Sequence, residues 1–248
     1  MAADRLPPFG RTALLLDLDG TLVDIAPRPE AVVVEPGLTQ TLTSLRRQLA
    51  DALAVVSGRP AETVDALLSG APYAVAGEHG AALRAAPGKH VEYATLPPVP
   101  DDWRRAAEQM AAARPGVLLE HKAHGFTLHF RAIPDAGPML RAELGKLLQG
   151  QSEFTVLSAH MAWEVRPNAA DKGRAVEALM ARPPFLGRLP LFIGDDVTDE
   201  DAIRAARALG GAGLKVDAAF GTAAAVRTWL RHAATTGTWP ELPLCRTA

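Results

Sequence analysis

The sequence has a single cysteine, Cys245, so no disulfide can form within one chain. This scarcity is typical of proteins that work in a reducing compartment. The sequence also lacks any apolar run long enough to span a membrane, and its first residues lack the apolar stretch of a secretory signal peptide. We therefore expect a cytoplasmic protein that has no membrane partner.

An excess of positive charge is also absent. The 26 lysines and arginines stand against 28 aspartates and glutamates, which gives a net charge of −2. A nucleic-acid-binding protein would carry a basic excess, so we expect no nucleic-acid partner. The sequence also contains no Gly-x-x-x-x-Gly-Lys loop for a nucleotide and no Cys/His cluster with zinc-binding spacing.

The most informative stretch is an apolar run that ends in two carboxylates. Leu14, Leu15 and Leu16 predict a buried strand of a parallel sheet, and Asp17 and Asp19 follow it. In open α/β sheets, ligands bind at the carboxyl ends of the strands. Two carboxylates held this close cannot both ionise easily unless a cation lies between them or one of them keeps its proton. This favours a metal site, or a nucleophile beside an acid, over an Asp-Gly turn that only caps the next loop.

Other predicted strands end in polar residues as well. Ser57 and Gly58 follow the apolar run 53–56 and suit an anion pocket made of a hydroxyl and backbone N–H groups. Asp195 and Asp196 follow the run 189–193, and helix capping does not require either of them. So many carboxylates at strand ends favour a hard cation, and Mg²⁺ fits best.

Lys172 opens a predicted helix in the second half of the chain. The helix dipole disfavours a cation in the first turn, and this local conflict favours a functional role for Lys172. At 248 residues the chain can form an α/β core together with a smaller second unit.

A proline-rich linker at residues 96–100 separates this core from a segment of different character. The pattern that follows predicts the order α-β-β-α-β-β, with helices at 102–114 and 138–149 and strands at 117–122, 126–133, 154–157 and 161–165. We expect residues 1–98 and 166–248 to form the catalytic core. Residues 99–165 are expected to form an inserted two-layer α/β unit.

The stretch Asp17-Leu18-Asp19-Gly20-Thr21-Leu22 resembles the first motif of the haloacid-dehalogenase-like phosphatases. Within that superfamily, further stretches resemble the trehalose-6-phosphate phosphatase family: Gly77-Glu78-His79-Gly80, Glu120-x-Lys122, His129-x-Arg131, Glu164-Val-Arg166-Pro167, and Gly194-Asp-Asp-x-Thr-Asp-Glu-Asp201. The resemblance implies a Rossmann-like parallel-sheet core with an inserted α/β cap domain of the C2B type.

The resemblance also implies roles for the residues at the strand ends. Asp17 would be the nucleophile, which forms an aspartyl-phosphate, and Asp19 the general acid and base. Ser57 and Lys172 would bind the phosphoryl oxygens. The Mg²⁺ ligands would come from the acidic residues of the two motifs, namely Asp17, Asp19 through its backbone carbonyl, Asp195, Asp196 and Asp199.

A third group of residues would bind the substrate, a small sugar phosphate. Its expected members in the core are Gly58, Arg59 and His79, and those in the cap are Glu120, Lys122, His129, Arg131, Glu164 and Arg166. His79 fits a buried, satisfied histidine equally well. We expect a monomeric, Mg²⁺-dependent hydrolase of trehalose 6-phosphate.

Two alternatives stay open. The same core would serve a phosphatase for sucrose phosphate or for a glycosylated phosphoglycerate, since specificity lies in the cap. A non-catalytic sugar-phosphate-binding regulator is the other alternative. Such a regulator should have lost Asp17, Asp19 or Lys172, and this sequence retains all three.

Overall fold

A computed structural model describes residues 5–26, 28–159 and 161–244. Cys245 lies outside these described residues. The chain divides into two compact units, one made of the residues up to Ala94 and from Asp171 onward, the other of Thr95–Ala170.

The helices and strands follow one another in this order, with short 3-10 turns between some of them. The first part of the chain contains β1 (Thr12–Leu16), α1 (Leu38–Gln48), β2 (Leu53–Val56), α2 (Ala61–Leu68), β3 (Ala74–Gly77), β4 (Ala82–Arg84) and β5 (Glu92–Tyr93). The inserted unit contains α3 (Asp101–Ala112), β6 (Leu118–His121), β7 (Phe126–His129), α4 (Gly137–Leu147), β8 (Phe154–Ala159) and β9 (Ala162–Pro167). The last part contains α5 (Lys172–Met180), β10 (Leu189–Gly194), α6 (Asp199–Ala208), β11 (Ala212–Lys215), α7 (Val216–Ala219) and α8 (Ala223–Thr236).

The first unit is built on a seven-stranded sheet in the order β11-β10-β1-β2-β3-β4-β5. The strands from β11 to β3 are parallel, while β4 and β5 continue the sheet in antiparallel fashion. Strand β1 therefore lies inside the sheet and is buried along its whole length. The predicted α/β class with a parallel-sheet core is confirmed.

Both faces of this sheet are covered, as expected for parallel strands made of continuous apolar runs. Leu14 and Leu16 of β1 pack on one face together with α1, α2 and α8. Ala13 and Leu15 of the same strand pack on the opposite face with α5 and α6. The alternation of side chains along β1 thus joins both halves of the core.

The inserted unit has a four-stranded antiparallel sheet in the order β6-β7-β9-β8. Helices α3 and α4 pack on one face of it, where Trp103, Leu140, Phe126 and Val165 share one apolar core. Neighbouring strand residues such as Thr127 and Glu164 point to the other face. The predicted order α-β-β-α-β-β is confirmed.

The boundaries of this unit lie a few residues outside the expected limits of 99 and 165. Strand β9 continues through Pro167, and the backbone N–H of Asn168 donates a hydrogen bond to the carbonyl of Glu153. The short antiparallel strands β4 and β5, which extend the first unit's sheet beyond β3, were not predicted from the sequence. No helix in the described part of the chain combines the length and the apolar character needed to cross a membrane.

Candidate active site

Three strand ends of the first unit bring polar side chains to one edge of its sheet. Asp17 follows β1, Ser57 follows β2 and Asp195 follows β10. Strand β1 lies between β10 and β2, and the chain continues to either side of it in the sheet. The carboxyl end of β1 is therefore a topological switch point, which is where ligands bind in open α/β sheets.

A buried lysine joins two of the aspartates. Lys172, the first residue of α5, donates hydrogen bonds from Nζ to Oδ1 of Asp17 and to Oδ1 of Asp199, each at 2.6 Å. The three side chains are at most 5% exposed. A cation in the first turn of a helix is unfavourable by itself, and the two carboxylates offset that cost here.

Three carboxylates lie close together beside this lysine. One oxygen from each of Asp17, Asp195 and Asp199 can be chosen so that all three lie within 4.8 Å of one another. The Oδ2 atom of Asp17 accepts no hydrogen bond from the described residues, although it is buried. When the three carboxylates are ionised, the ammonium group of Lys172 compensates only one of their negative charges. A divalent cation would compensate the other two, and carboxylate oxygens are suitable ligands for it.

The pKa values reflect this crowding. Burial raises the pKa of Asp17 well above its ordinary value, the charge of Asp199 raises it further, and Lys172 opposes both effects. Burial and the charges of Asp199 and Asp196 raise the pKa of Asp195 to about 6. Burial alone would lower the pKa of Lys172, but the carboxylates of Asp17 and Asp199 outweigh it and raise the pKa above its ordinary value. Lys172 therefore stays protonated at neutral pH.

Two glycines make this packing of carboxylates possible. Gly20 has a left-handed backbone (φ +79°), and a Cβ atom there would lie 2.0 Å from Oδ2 of Asp195. A Cβ atom on Gly194 would lie 2.4 Å from Cγ of Asp199. Both acidic side chains thus lie directly against backbone that carries no side chain of its own.

Asp19 has a different environment from Asp17. Its two carboxylate oxygens accept hydrogen bonds from Nε and Nη2 of Arg59, at 2.7 and 2.8 Å. Such a bidentate pair holds the carboxylate in a defined orientation. The Asp19 carboxylate lies outside the three-carboxylate cluster. Arg59, expected to bind substrate, is therefore the partner of the expected general acid in this structure.

The loop that contains Ser57 is held by the segment after β3. Arg59 donates its backbone N–H to Oγ of Ser57 at 3.1 Å, and the carbonyl of Ser57 accepts a hydrogen bond from the backbone N–H of His79. Glu78 and His79 both have left-handed backbones (φ 48° and 55°), which is a strained conformation for these residues. The imidazole of His79 is buried against Gly58, where a Cβ atom would lie 2.5 Å from Nε2.

Asp196 was expected among the metal ligands, but its carboxylate is not part of the cluster. Its Oδ1 atom accepts a hydrogen bond from the backbone N–H of Val197 at 2.6 Å. Asp199 lies in the cluster and is fully buried. The candidate metal centre therefore consists of the carboxylates of Asp17, Asp195 and Asp199.

The second unit carries the other expected site residues on the sheet face opposite its helices. Lys122 Nζ donates a hydrogen bond to Oε1 of Glu164 at 2.8 Å, and both side chains are less than 10% exposed. His129 Nε2 donates to Oε2 of Glu120 at 2.9 Å. Burial would raise the pKa of Glu120, but this hydrogen bond and the charge of Lys122 outweigh it, so the pKa is lower than usual.

Two expected arginines complete this group. Arg166 is buried in β9, opposite Thr155 of β8, and Arg131 lies half-buried in the turn after β7. The sequence interpretation missed Thr127, which pairs with Glu120 on one side and with Glu164 on the other. The Oγ1 atom of Thr127 is buried and has no hydrogen-bond partner among the described residues. The alternation of apolar and polar residues in β7 would have placed Thr127 on this face.

The sequence of this chain is similar to known phosphatases over most of its length. A family model described as trehalose-phosphatase matches residues 15–228. The chain is 39% identical over 212 residues to a probable trehalose-phosphate phosphatase from Sinorhizobium fredii, covering 82% of this chain and 77% of that protein. It is 35% identical over 238 residues to the trehalose-6-phosphate phosphatase of Escherichia coli, covering 95% of this chain and 87% of that protein.

A solved structure shares the fold. The C-terminal domain of the trehalose-6-phosphate phosphatase from C. albicans superimposes with a TM-score of 0.74 at 21% identity, covering 91% of this chain and 92% of that one. The family match spans both units, and it includes the strand ends that carry Asp17, Ser57 and Asp195. This chain therefore belongs to the trehalose-phosphatase family and is a phosphatase.

Proposed function

We propose that this chain hydrolyses trehalose 6-phosphate to trehalose and phosphate through an aspartyl-phosphate on Asp17. The observation that carries the proposal is the state of the Asp17 carboxylate. Its Oδ1 is held by Lys172 at 2.6 Å, while Oδ2 accepts no hydrogen bond from the described residues. A nucleophile needs an oriented oxygen with a free lone pair, and Oδ2 provides one. The substrate is the one named for the Escherichia coli relative.

The proposed cofactor is Mg²⁺, and the residues present suit it. Asp17, Asp195 and Asp199 would hold the ion together with the backbone carbonyl of Asp19. Carboxylate and carbonyl oxygens are ligands that Mg²⁺ prefers. Bound there, Mg²⁺ would supply positive charge that offsets the repulsion between a carboxylate and a phosphate ester. The raised pKa values of Asp17 and Asp195 fit a site whose carboxylates need such a counter-charge.

The chemistry of the chain's own residues is then a two-step displacement. Oδ2 of Asp17 attacks phosphorus, the bond from phosphorus to the sugar oxygen breaks, and Asp19 gives that oxygen a proton. In the second step Asp19 takes a proton from a water molecule, which attacks phosphorus and restores the Asp17 carboxylate. Lys172 and Ser57 donate hydrogen bonds to the phosphoryl oxygens in both steps.

Arg59 adds a requirement to this scheme. Both oxygens of Asp19 accept hydrogen bonds from its guanidinium group. A carboxyl group must be protonated and must face the leaving oxygen before it can act as an acid. Arg59 must therefore release at least one oxygen of Asp19 during the first step, and the incoming phosphoryl group is a suitable new partner for the guanidinium.

We further propose that the inserted unit recognises the sugar. Its sheet face presents Glu120, Thr127 and Glu164 in paired register positions, with Lys122 bonded to Glu164 and His129 bonded to Glu120. Charged groups and a buried hydroxyl suit the many hydroxyl groups of a disaccharide.

Turnover of a panel of sugar phosphates would test the proposal. The panel contains trehalose 6-phosphate, sucrose 6-phosphate and a glucosyl phosphoglycerate, with p-nitrophenyl phosphate as the generic substrate and released phosphate as the readout. We expect kcat/KM for trehalose 6-phosphate to exceed that of each other sugar phosphate by about 10-fold or more. A higher value for another sugar phosphate would reassign the substrate. Binding of trehalose 6-phosphate without any turnover would favour the regulator.

A further inference from the structure

Lys215 is the last residue of β11, beside Gly194 of β10 in the sheet register. The chain leaves β10 at Gly194 and enters the acidic segment from Asp195 to Asp199, so Lys215 lies next to the start of that segment. Its Nζ atom donates a hydrogen bond of 2.8 Å to the backbone carbonyl of Asp196. Within the described part of the chain, Lys215 makes no ion pair.

The backbone of Asp196 forms two hydrogen bonds with Asp199. Its backbone N–H donates a hydrogen bond of 3.0 Å to Oδ2 of Asp199, and its carbonyl accepts the backbone N–H of Asp199 at 3.1 Å. The bond from Lys215 is the additional contact that joins this turn to the sheet. The turn itself carries Asp195 at one end and Asp199 at the other, and both of these carboxylates belong to the cluster.

The geometry of this turn determines where the two carboxylates lie. Asp195 packs against Gly20, and the fully buried Asp199 packs against Gly194 and Lys172, so a shift of the main chain would displace both carboxylates from these contacts. Some residues orient a metal ligand without contacting the metal, and removing such a residue commonly lowers the affinity for the metal by about 10–100-fold. The side chain of Lys215 is only half-buried, so its ammonium group could be hydrated by solvent instead of bonding to a single carbonyl. The contact with the Asp196 carbonyl therefore favours a structural role for this lysine.

We infer that Lys215 is a positioning residue for the divalent cation site: it fixes the Asp196 carbonyl and thereby the separation of Asp195 and Asp199. The inference rests on the proposed function, since it assumes that these carboxylates bind Mg²⁺. Lys215 acts from the sheet edge and touches neither the carboxylates nor the phosphoryl group. Its loss therefore weakens cation binding while leaving the chemical step intact.

Calorimetric titration of the metal-free protein with MgCl₂ tests this directly, without any turnover. Lys215→Met removes the donor but keeps most of the side-chain volume, and Lys215→Arg keeps a donor and the charge. We expect Lys215→Met to weaken Mg²⁺ binding about 10-fold or more and Lys215→Arg to restore most of the affinity. At saturating Mg²⁺, kcat and the KM for the sugar phosphate should stay within about 3-fold of the parent. Lys89→Met, an exposed lysine of the same unit, is the matched control and should change nothing.

Each other outcome has a definite meaning. Parent protein that binds no Mg²⁺ would refute the metal part of the proposed function and the inference with it. Equal Mg²⁺ affinities of Lys215→Met and the parent protein would overturn the inference and leave the proposed function standing. Because the positive charge of Lys215 repels Mg²⁺ at long range, its removal without any positioning effect would strengthen Mg²⁺ binding, so a gain of affinity that vanishes in about 0.5 M KCl would also overturn it. Should Lys215→Met fail to fold, Lys215→Ala, which also removes the donor, must show the same loss of affinity.

Discussion

The ammonium group of Lys172 lies 2.6 Å from Oδ1 of Asp17, and both side chains are almost fully buried. Burial and neighbouring carboxylates oppose ionisation of Asp17, and Lys172 works against both effects. The same contact occupies one carboxylate oxygen, while the other accepts no hydrogen bond from the part of the chain that the structure describes. One residue pair thus sets both the charge and the orientation of the proposed nucleophile.

Replacement of this nucleophile is the first prediction. Asp17→Asn keeps the volume of the side chain but cannot form an aspartyl-phosphate, so turnover should fall below about 1% of the parent. The fold should persist, because an amide oxygen can still accept the hydrogen bond from Lys172. Phosphate release and circular dichroism measure the two expectations. Asp217→Asn, at an exposed position of α7, is the control and should keep full activity. Activity of Asp17→Asn above a few per cent would remove Asp17 from this role.

The second prediction concerns the cation. Chelation should abolish activity, Mg²⁺ should restore it, and Ca²⁺ should inhibit, because its looser and higher coordination does not keep the reacting groups in line. Asp199→Asn should raise the Mg²⁺ concentration needed for half-maximal activity by about 10-fold or more, since the cluster loses a buried carboxylate. Measurement of phosphate release across a metal titration gives both results. Full activity in excess chelator would contradict the prediction.

Much of this site could be predicted from the sequence because its residues follow apolar runs. Asp17, Ser57 and Asp195 each come after a buried strand, and the carboxyl ends of parallel strands meet at one edge. The inserted unit could be predicted for a similar reason. Its linker is rich in proline, and the periodicity beyond it fits two helices and four strands.

The contacts between distant residues could not be predicted. Arg59 follows a strand that neighbours the one before Asp19, yet nothing in the spacing shows that its guanidinium reaches that carboxylate. The role of Lys215 depends on the register of β11 beside β10, and the sequence does not specify the order of strands in the sheet. Asp196 and Asp199 are both aspartates of the same acidic segment, so the sequence does not distinguish them as metal ligands. The course of the turn between them places Asp199 in the carboxylate cluster and Asp196 outside it.

The third prediction tests sugar recognition by the inserted unit. Lys122 and Glu164 form a buried ion pair, so removal of either residue alone would leave an uncompensated charge and cost stability. The double variant Lys122→Met/Glu164→Gln removes both charges. It should retain the fold and the hydrolysis of p-nitrophenyl phosphate, yet lose about 10–100-fold in kcat/KM for trehalose 6-phosphate.

A second ion pair of the same unit provides the matched control for this variant. Arg114, after α3, pairs with Glu143 of α4 at 2.6 Å, on the helical side of the unit. Arg114→Met/Glu143→Gln should leave kcat/KM for both substrates unchanged. Equal losses on both substrates in the Lys122/Glu164 variant would mean that the pair supports folding or chemistry. No loss on either would remove the pair from sugar binding.

The last prediction concerns a buried arginine that holds the segment following the first motif. Arg227 of α8 donates to Oε2 of Glu35 at 2.5 Å, to both carboxylate oxygens of Asp24 at 3.3 and 3.1 Å, and to the carbonyl of Leu22 at 3.4 Å. Its side chain is 7% exposed. One guanidinium group therefore joins the start and the end of the segment from Leu22 to Glu35 to the core.

Arg231, one turn further along α8, is the control that separates the effect of burial from the effect of the ion pair with Glu35. It pairs with the same Glu35 at 2.9 Å, but its side chain is 55% exposed. Arg227→Met should lower the free energy of unfolding of this unit by about 1–3 kcal/mol, since several hydrogen bonds from a buried charged donor are lost. Arg231→Met should cost at most about 0.5 kcal/mol, as is usual for an exposed ion pair. Urea titration followed by tryptophan fluorescence measures both losses, in a background where Trp103 and Trp163 of the inserted unit are replaced by Phe so that the signal comes from Trp229 and Trp239 of this unit. Equal losses for the two variants would mean that the buried contacts of Arg227 add nothing beyond its pair with Glu35.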